Sequence, residues 1–533
     1  MATSRQLREQ IAAGRWDAAL AALYGGSEKV LARQRSRYGA ALEQFELYYG
    51  PGRQVQVYSA PGRTELGGNH TDHQHGYGLA GAVTLDLVAV ASRNEDGFIR
   101  VKSRGFNKLD VIDLTEAEPQ QGESTHSASL IRGIAEGFRA KGCDVGGFDA
   151  YTASDVLRGS GLSSSAAFEM GVAMILNTEY GCGLDAPALA RICQFAENTY
   201  FGKPSGLLDQ LTSAVGGVLF ADFADPTAPK IEKIHADGVL PEGMTLCVTD
   251  TRASHSELTG EFAAIRNEME AVAACLGGKV LGEVDEKRFW QELPRLREQC
   301  GDRAVLRAIH YFEENARTLA QRAALAAGDF AAFARLVEKS GHSSFECCQN
   351  VYCASSPKHQ GLSAALAISQ SILAGTGGAW RMQGGGFAGT IQAFVPDALV
   401  KRYCAAMEAL FGPGCCYLLS LREQGAVRVR DSSSHLETDF AESDARIGTD
   451  GTLYHDLRNK PHTYPVAVPV KDAEKTIIRD SIVYRDRYKE IPVPADLTKW
   501  QKFSIWAGRL ALLALITWVG WKIWGLTRKI RNR

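Results

Sequence analysis

Four stretches of this chain carry residue types suited to chemistry. The first runs from Val156 to Glu169 and reads V-L-R-G-S-G-L-S-S-S-A-A-F-E. Gly159 and Gly161 permit a sharp turn and a close approach of backbone to ligand, and Ala166 to Tyr180 has the composition of a buried helix. A Gly/Ser loop opening onto a helix N-terminus suits an anion, because the free N–H groups and the helix dipole point the same way. A flexible serine loop capping a core helix has the same composition, and no G-x-x-x-x-G-K-[ST] occurs in the chain. A second glycine cluster, G-G-G-F-A-G, ends at Gly389. A third stretch, Pro61 to Gly76, places Arg63 after a Pro-Gly turn and gathers Asn69, His70, Asp72, His73 and His75. The last two histidines suit hydrogen bonding or a polar pocket better than a metal. In the fourth, Ala196-Glu197-Asn198 precedes Gly202 to Gln210, G-K-P-S-G-L-L-D-Q. Taken singly, Glu197 reads as a solvated helix carboxylate, Asp209 and Ser165 as helix caps and Arg63 as a surface turn.

The elements around these stretches mix strands and helices without a regular βαβ alternation, which predicts an α+β fold. Residues 1–35 read as a helical preface, with Leu7, Ile11, Trp16, Leu20 and Leu23 at helical spacing. Gln54 to Ala60 alternates as a strand leading into Pro61. Leu79 to Ser92 is apolar and β-rich, and a turn at Asn94 to Gly97 joins it to Ile99–Val101 as a hairpin. Ser127 to Arg139 and Ala188 to Tyr200 read as helices, and Phe148 to Ala153 as a strand. Helices dominate from Phe262 to Val337. Thr390 to Val395 is strand-like, Val400 to Leu410 helical, and Tyr417–Ser420 with Ala426–Val429 close a small sheet. With 533 residues, 45% of them hydrophobic and 23% charged, the chain has material for two or three domains with ample cores. A formal net charge of −2 gives no footing for nucleic acid. Twelve cysteines without metal-ligand spacing, and a polar N-terminus, predict a reduced cytoplasmic protein.

Together the four stretches resemble the motifs of GHMP-type small-molecule kinases, and within them the galactokinases. Pro61 to Asp72, P-G-R-T-E-L-G-G-N-H-T-D, is similar to P-G-R-V-N-L-I-G-E-H-T-D. Gly159 to Ala167 is similar to G-A-G-L-S-S-S-A-A, Met382 to Gly389 to M-T-G-G-G-F-G-G, and Ala196 to Gln210 to A-E-N-x-F-x-G-x-P-C-G-I-M-D-Q. The resemblance covers roughly residues 40–430 and implies a two-lobed fold with the active site between lobes 36–240 and 241–430. It implies ATP-dependent phosphorylation of the anomeric hydroxyl of galactose, with Asp209 and Arg63 catalytic. ATP phosphates would lie on Gly159, Ser160, Gly161, Leu162, Ser163, Ser164, Ser165, Gly384, Gly385 and Gly386. Mg²⁺ would be held by Ser165 and Glu197, hard oxygen donors of the kind it takes. Asn69, His70, Asp72 and Phe262 would contact the sugar. At that pocket the chain departs from the pattern: Asn69 replaces a glutamate, Thr64-Glu65-Leu66-Gly67 replaces V-N-L-I, His73 replaces a tyrosine after Asp72, and Phe262 replaces a later tyrosine. Ser205 replaces the cysteine of P-C-G. These departures leave open another sugar, such as N-acetylgalactosamine or arabinose, or a non-catalytic sugar sensor on the same fold.

The C-terminal extension is of another character. Residues 431–500 read as a linker and a small β-like segment. Residues 501–533 read as a candidate membrane helix with a basic tail. The apolar stretch 503–526 is interrupted by Arg509 and Lys522, and its four tryptophans suit membrane interfaces. It reaches across a bilayer only if both cations snorkel to opposite sides; it also suits a helix lying on anionic lipid. The expectation is a cytoplasmic kinase domain attached to membrane through this helix.

Overall fold

The computed structural model describes residues 2–120, 122–156, 161–203, 205–253, 259–431, 445–447 and 453–455. The candidate membrane helix, and the linker and β-like segment apart from two short strands, lie outside the described residues. Among the described residues no helix is long and apolar enough to cross a membrane.

The first sheet is built around one long strand. Its eleven strands include β1 (Ala2–Thr3), β2 (Gln54–Gly67), β3 (Tyr77–Arg93), β4 (Phe98–Ser103), β5 (Leu109–Asp113), β6 (Phe148–Ser154), β7 (Val218–Asp222) and β8 (Lys230–Ile234). β3 pairs with β2 along one side; on the other it pairs with β7 through its first residues and β6 through its last. Such a strand must be apolar on both faces. Leu87, Ala89 and Ala91 enter one core while Val88 and Val90, pointing the other way, enter a second. The second core is closed by α1 (Ser4–Ala12), α2 (Asp17–Tyr24) and α3 (Glu28–Tyr49), with Leu20, Tyr38, Leu42 and Phe45 fully buried. The first is closed by α4 (Ser127–Ala140), α5 (Ser164–Glu179), α6 (Ala186–Phe195) and α7 (Leu208–Val215).

The second sheet is antiparallel. Its strands are β9 (Met244–Asp250), β10 (Ala379–Met382), β11 (Thr390–Pro396) and β12 (Cys416–Leu419), in the order β10-β11-β9-β12. Its helices are α8 (Thr259–Cys275), α9 (Glu286–Gln291), α10 (Leu293–Cys300), α11 (Asp302–Ala326), α12 (Phe330–Ser343), α13 (Gly361–Leu373) and α14 (Asp397–Phe411). The two sheets are not separate cores: Phe333 and Val337 of α12 and Phe394 of β11 belong to the same apolar cluster as β3 and α5.

The mixed α+β architecture is the expected one, and three details differ. β3 and β4 do not form a hairpin, because β6 lies between them, antiparallel to β3 and parallel to β4. β6 is buried at nearly every position, whereas β4 alternates; the strand with two apolar faces takes the place beside β3. Residues 417–420 and 426–429 do not share a sheet either. The first run forms β12 against β9, and the second, β13 (Val427–Val429), returns to β2. The chain thus crosses back to the first lobe before residue 430, burying Val427 and Val429 against α3's core. The boundary at residue 35 falls within α3, so the N-terminal helices are part of the first lobe rather than a preface to it.

Candidate active site

Strand β2 delivers the first catalytic candidate from inside the sheet. Pro61-Gly62-Arg63 is not a surface turn: Arg63 is 8% exposed at its side chain, and its backbone N–H donates to the Leu162 carbonyl at 3.1 Å. Its guanidinium forks onto Asp209, Nε to Oδ1 at 2.7 Å and Nη2 to Oδ2 at 2.8 Å, while Nη1 donates to the Gly161 carbonyl. This is the bidentate geometry that only arginine offers. Asp209 lies in the first turn of α7, 36% exposed, and also accepts from the Ser163 hydroxyl. Burial alone would raise its pKa, but the charge of Arg63 and the bonds from Ser163 and Arg63 outweigh it and hold the carboxyl below its ordinary value. Asp209 is therefore an anion in the folded protein.

Gly159 and Ser160 lie outside the described residues. From Gly161 onward the loop turns into α5 through Ser163, a non-glycine residue at φ +57°. No side chain caps this helix, because the Ser163 hydroxyl is spent on Asp209. That removes the plain capping reading and leaves the helix's N-terminal N–H groups for an anion. Leu162 is buried, and Ser163, Ser164 and Ser165 are partly exposed. The second glycine cluster meets this loop directly: a Cβ built on Gly384 would stand 3.5 Å from the Gly161 Cα. Gly385 cannot carry a side chain, since its Cβ would fall 2.4 Å from the ring of Phe262. Phe262 is thereby stacked on the glycine turn, edge-on to Phe387 at 5.4 Å. Gly386 is packed beneath, against the Asn350 carbonyl.

The proposed metal pair is also brought together. After α6 the helix widens into a π turn, Ala196–Phe201, of the kind that often marks functional sites. It buries Glu197 to 2% exposure, not the solvated carboxylate of the plain reading. Glu197 Oε1 accepts from Ser165 Oγ at 3.1 Å and Lys203 Nζ at 2.8 Å; Oε2 accepts from Gln210 Nε2 at 2.9 Å. A buried carboxylate and a hydroxyl, with the Lys203 ammonium bonded to the carboxylate, offer hard oxygens of the kind Mg²⁺ takes. Two participants were not singled out from sequence. Lys203 is one. Glu169 is the other: fully buried, it shares Gln210 Nε2 with Glu197 at 3.1 Å and leaves Oε1 without a partner. Burial and the Glu197 charge hold Glu169 well above the usual carboxylate range. Its place four residues after Ser165, on the same face of α5, was the signal for it.

At the sugar side Asn69 is held by protein partners. Asn69 is 1% exposed, and its amide is fully engaged by protein. Nδ2 donates to Glu65 Oε1 at 2.9 Å and the Gly384 carbonyl at 2.7 Å; Oδ1 accepts from Asn350 Nδ2 at 2.8 Å and, at the limit of 3.5 Å, Ser344 Oγ. These bonds tie the first lobe to the glycine turn through Asn69. Its partner Glu65 also accepts from Arg381 Nη2 at 2.8 Å, and burial, only partly offset by Arg381, Arg63 and Asn69, pushes its carboxyl up to about 7. Two departures from the motif are thus one exchange: where the pattern has asparagine then glutamate, this chain has Glu65 then Asn69, bonded to each other. Asn69→Glu alone would set two carboxylates on one buried bond, and Glu65→Asn alone would leave Arg381 buried without its counter-charge. Each single variant is expected to lose about 2–3 kcal/mol of stability, and the double exchange to recover most of it. Urea unfolding of the four proteins measures this, and additive losses would refute the exchange.

His70 faces the glycine turn, Nε2 to the Gly385 carbonyl at 3.0 Å, and its other nitrogen lies 3.4 Å from His73 Nε2. Burial, reinforced by His310 and Arg307, lowers its pKa to about 4, so it is neutral. Asp72 is partly exposed and lies against Gly206, whose Cβ would fall 1.9 Å from Asp72 Oδ2. The glycine of the P-S-G run is what lets the approach to α7 close onto it.

The sequence and structure comparisons agree with one another. The model of the GHMP kinases N terminal domain matches residues 129–217, and that of the galactokinase galactose-binding signature matches residues 43–93. A galactokinase of Streptomyces coelicolor is 35% identical over 379 residues, 70% of this chain and 92% of the relative. The crystal structure of Lactococcus lactis galactokinase complexed with galactose superposes with a TM-score of 0.62 at 25% identity, covering 72% of this chain and 97% of that one. The mevalonate kinase of Methanococcus jannaschii shares the fold alone, with a TM-score of 0.50 at 15% identity over 70% of this chain and 99% of that one.

Proposed function

We propose, on the premise that this chain belongs to the galactokinase family of GHMP kinases, that it transfers the γ-phosphoryl group of ATP to the anomeric hydroxyl of galactose. The observation that carries this reading is the Arg63–Asp209 fork, set where the two glycine loops meet. The described part of the loop, Gly161 to Ser165, and Gly384 to Gly386 receive the phosphates on backbone N–H groups and the α5 N-terminus. Mg²⁺ bound at Ser165 and Glu197 would neutralise charge on the phosphate oxygens. Lys203 balances Glu197 on the same side and stands within electrostatic reach of Asp209.

Asp209 accepts a hydrogen bond from the attacking hydroxyl and holds its oxygen in line with the phosphorus. Because Asp209 is held below its ordinary pKa, it is a weak base toward a sugar hydroxyl. The proton therefore passes to it only as the new O–P bond forms and the hydroxyl becomes acidic, which suits a loose transition state. Arg63 keeps Asp209 ionised, fixes its direction and adds positive charge beside the transferring group. Asp72, neutral His70 and Phe262 line the sugar side of this arrangement. With Asn69 engaged by protein, selection among hydroxyl patterns falls to Asp72 and to backbone groups nearby.

The test is a substrate panel with purified full-length protein, ATP and Mg²⁺: galactose, N-acetylgalactosamine, arabinose and glucose. Galactose is expected to turn over with the highest kcat/KM, and turnover is expected to stop when Mg²⁺ is chelated. Turnover of another sugar with none on galactose would overturn the substrate assignment. Absence of ATP consumption with every sugar would favour the non-catalytic sensor.

A further inference from the structure

In the second lobe three cysteines from three different elements point at one spot. Cys247 lies in β9, Cys404 in α14 and Cys416 at the start of β12, and their sulfurs all lie within 4.8 Å of one another. The pairing explains the convergence. Cys416 stands opposite Thr249 and Leu418 opposite Cys247, so the two strand cysteines are diagonal neighbours on one face of the sheet. α14 crosses that face and lowers Cys404 onto them. The surroundings are apolar: Tyr403, Met407, Val395 and Ile391 belong to the same core. Among the described residues no carboxylate or imidazole joins the three thiols, and all three cysteines are free of disulfides. Cys247 is buried, while Cys404 and Cys416 are partly exposed, which gives a way in from solvent.

We propose that Cys247, Cys404 and Cys416 form a site for a single thiophilic cation, Zn²⁺ in the first place, separate from the phosphoryl-transfer centre. A Zn–S bond of about 2.3 Å places the sulfurs of a tetrahedral site about 3.8 Å apart, so the cluster needs only a small contraction, within reach of cysteine χ1 rotation. Three sulfurs without an oxygen ligand select a soft or borderline ion over Mg²⁺ or Ca²⁺. The three thiols release their protons to solvent as the ion binds. The fourth position falls to water, on the side where the Thr249 hydroxyl lies 3.7 Å from Cys416 Sγ. An ion here would fasten α14 to β9, and the residue after β9, Thr251, donates its N–H to the Gly389 carbonyl of the glycine turn at 2.9 Å.

The test uses the reduced, metal-stripped full chain. Titration with Co²⁺ is expected to raise a saturable thiolate-to-cobalt charge-transfer band, which Zn²⁺ then abolishes by displacement. Cys404→Ser and Cys416→Ser are each expected to lose the band while keeping the parent's circular dichroism. Cys275→Ser and Cys300→Ser, whose thiols lie 3.4 Å apart elsewhere in the lobe, are expected to keep it. A second measurement needs no variant: Zn²⁺ should protect Cys404 and Cys416 of the unsubstituted chain from alkylation, read by peptide mass. The proposal is overturned by absence of the band in the parent, by a band that survives in the Cys404→Ser, Cys416→Ser double variant, or by alkylation of both cysteines at the same rate with and without Zn²⁺.

Discussion

Asp209→Asn is expected to lower kcat on galactose about a thousandfold, with KM for the sugar changed far less. The substitution keeps the shape of the side chain and one acceptor oxygen, so the hydroxyl is still met by a hydrogen bond. What it removes is the charge. Arg63, buried and forked onto both carboxylate oxygens, then faces an amide, whose NH₂ end repels one arm of the fork. The proton released late in the reaction loses its acceptor as well. Arg63→Lys should cost nearly as much, because an ammonium cannot hold both oxygens of Asp209 and the Gly161 carbonyl together. The pH profile separates this account from one with a base poised near neutrality. A carboxyl held below its ordinary value is charged above about pH 4, so the acid limb due to Asp209 should lie below that point, with activity lost as pH falls through the lowered pKa. Steady-state kinetics on the two variants, with circular dichroism to confirm folding, measure the effect. An Asp209→Asn protein within tenfold of the parent kcat would sink the assignment.

The motif residues were legible in sequence because phosphoryl transfer imposes local requirements that one segment can display. In the proposed mechanism glycines admit phosphate, a serine and a carboxylate would hold a cation, and an aspartate opens a helix. What the segment cannot display is its partner. Arg63 and Asp209 are 146 residues apart, and nothing local to Pro61-Gly62-Arg63 says that its strand runs on through the turn and into the core. The same limit explains the hairpin that does not form: the pattern of β3 and β4 marks both as strands, but which strand lies beside β3 is decided by β6, whose two apolar faces appear only 50 residues later. Glu65 and Asn69 illustrate a subtler case. Each looked like a weakened position when matched singly to a motif; only the bond between them reveals that carboxylate and amide have traded places. Glu169 and Lys203 carried signals, one turn after Ser165 and one residue after Gly202, but a lone carboxylate on a core helix and a lone lysine in a loop have plainer readings until burial and distance are known.

The largest expected loss of stability comes from Asp86, a residue with no motif. It sits in β3, fully buried, between the two cores of the first lobe. Arg37 of α3 donates to Oδ1 at 2.5 Å, Tyr24 of α2 to Oδ2 at 2.5 Å, and Arg422 to Oδ2 at 3.3 Å, with the Ser59 hydroxyl also bonded to Oδ2. The N-terminal helices, the central strands and the segment between β12 and β13 are therefore fastened to one carboxylate. Asp86→Ala leaves two buried guanidinium groups without that counter-charge and is expected to cost about 3–5 kcal/mol, read as a lower urea midpoint. Asp86→Asn should cost less, since it keeps acceptors, but still lose the charge. The sign of the pH effect follows from the same contacts. Burial would raise the Asp86 pKa, yet Arg37, Arg422, Ser59 and Tyr24 together bring it below its ordinary value. A folded-state pKa below the unfolded one gives stability that is fully present above about pH 4 and drains as pH falls through the lowered value. The parent should therefore lose its advantage over Asp86→Asn on acidification, and a difference between the two that stays constant from pH 7 to pH 3 would refute the ionic account. Deleting residues 1–35 should have an effect of similar size, because it removes Tyr24 and cuts α3 just before Arg37; a truncated chain as stable as the parent would return those helices to the status of a detachable preface.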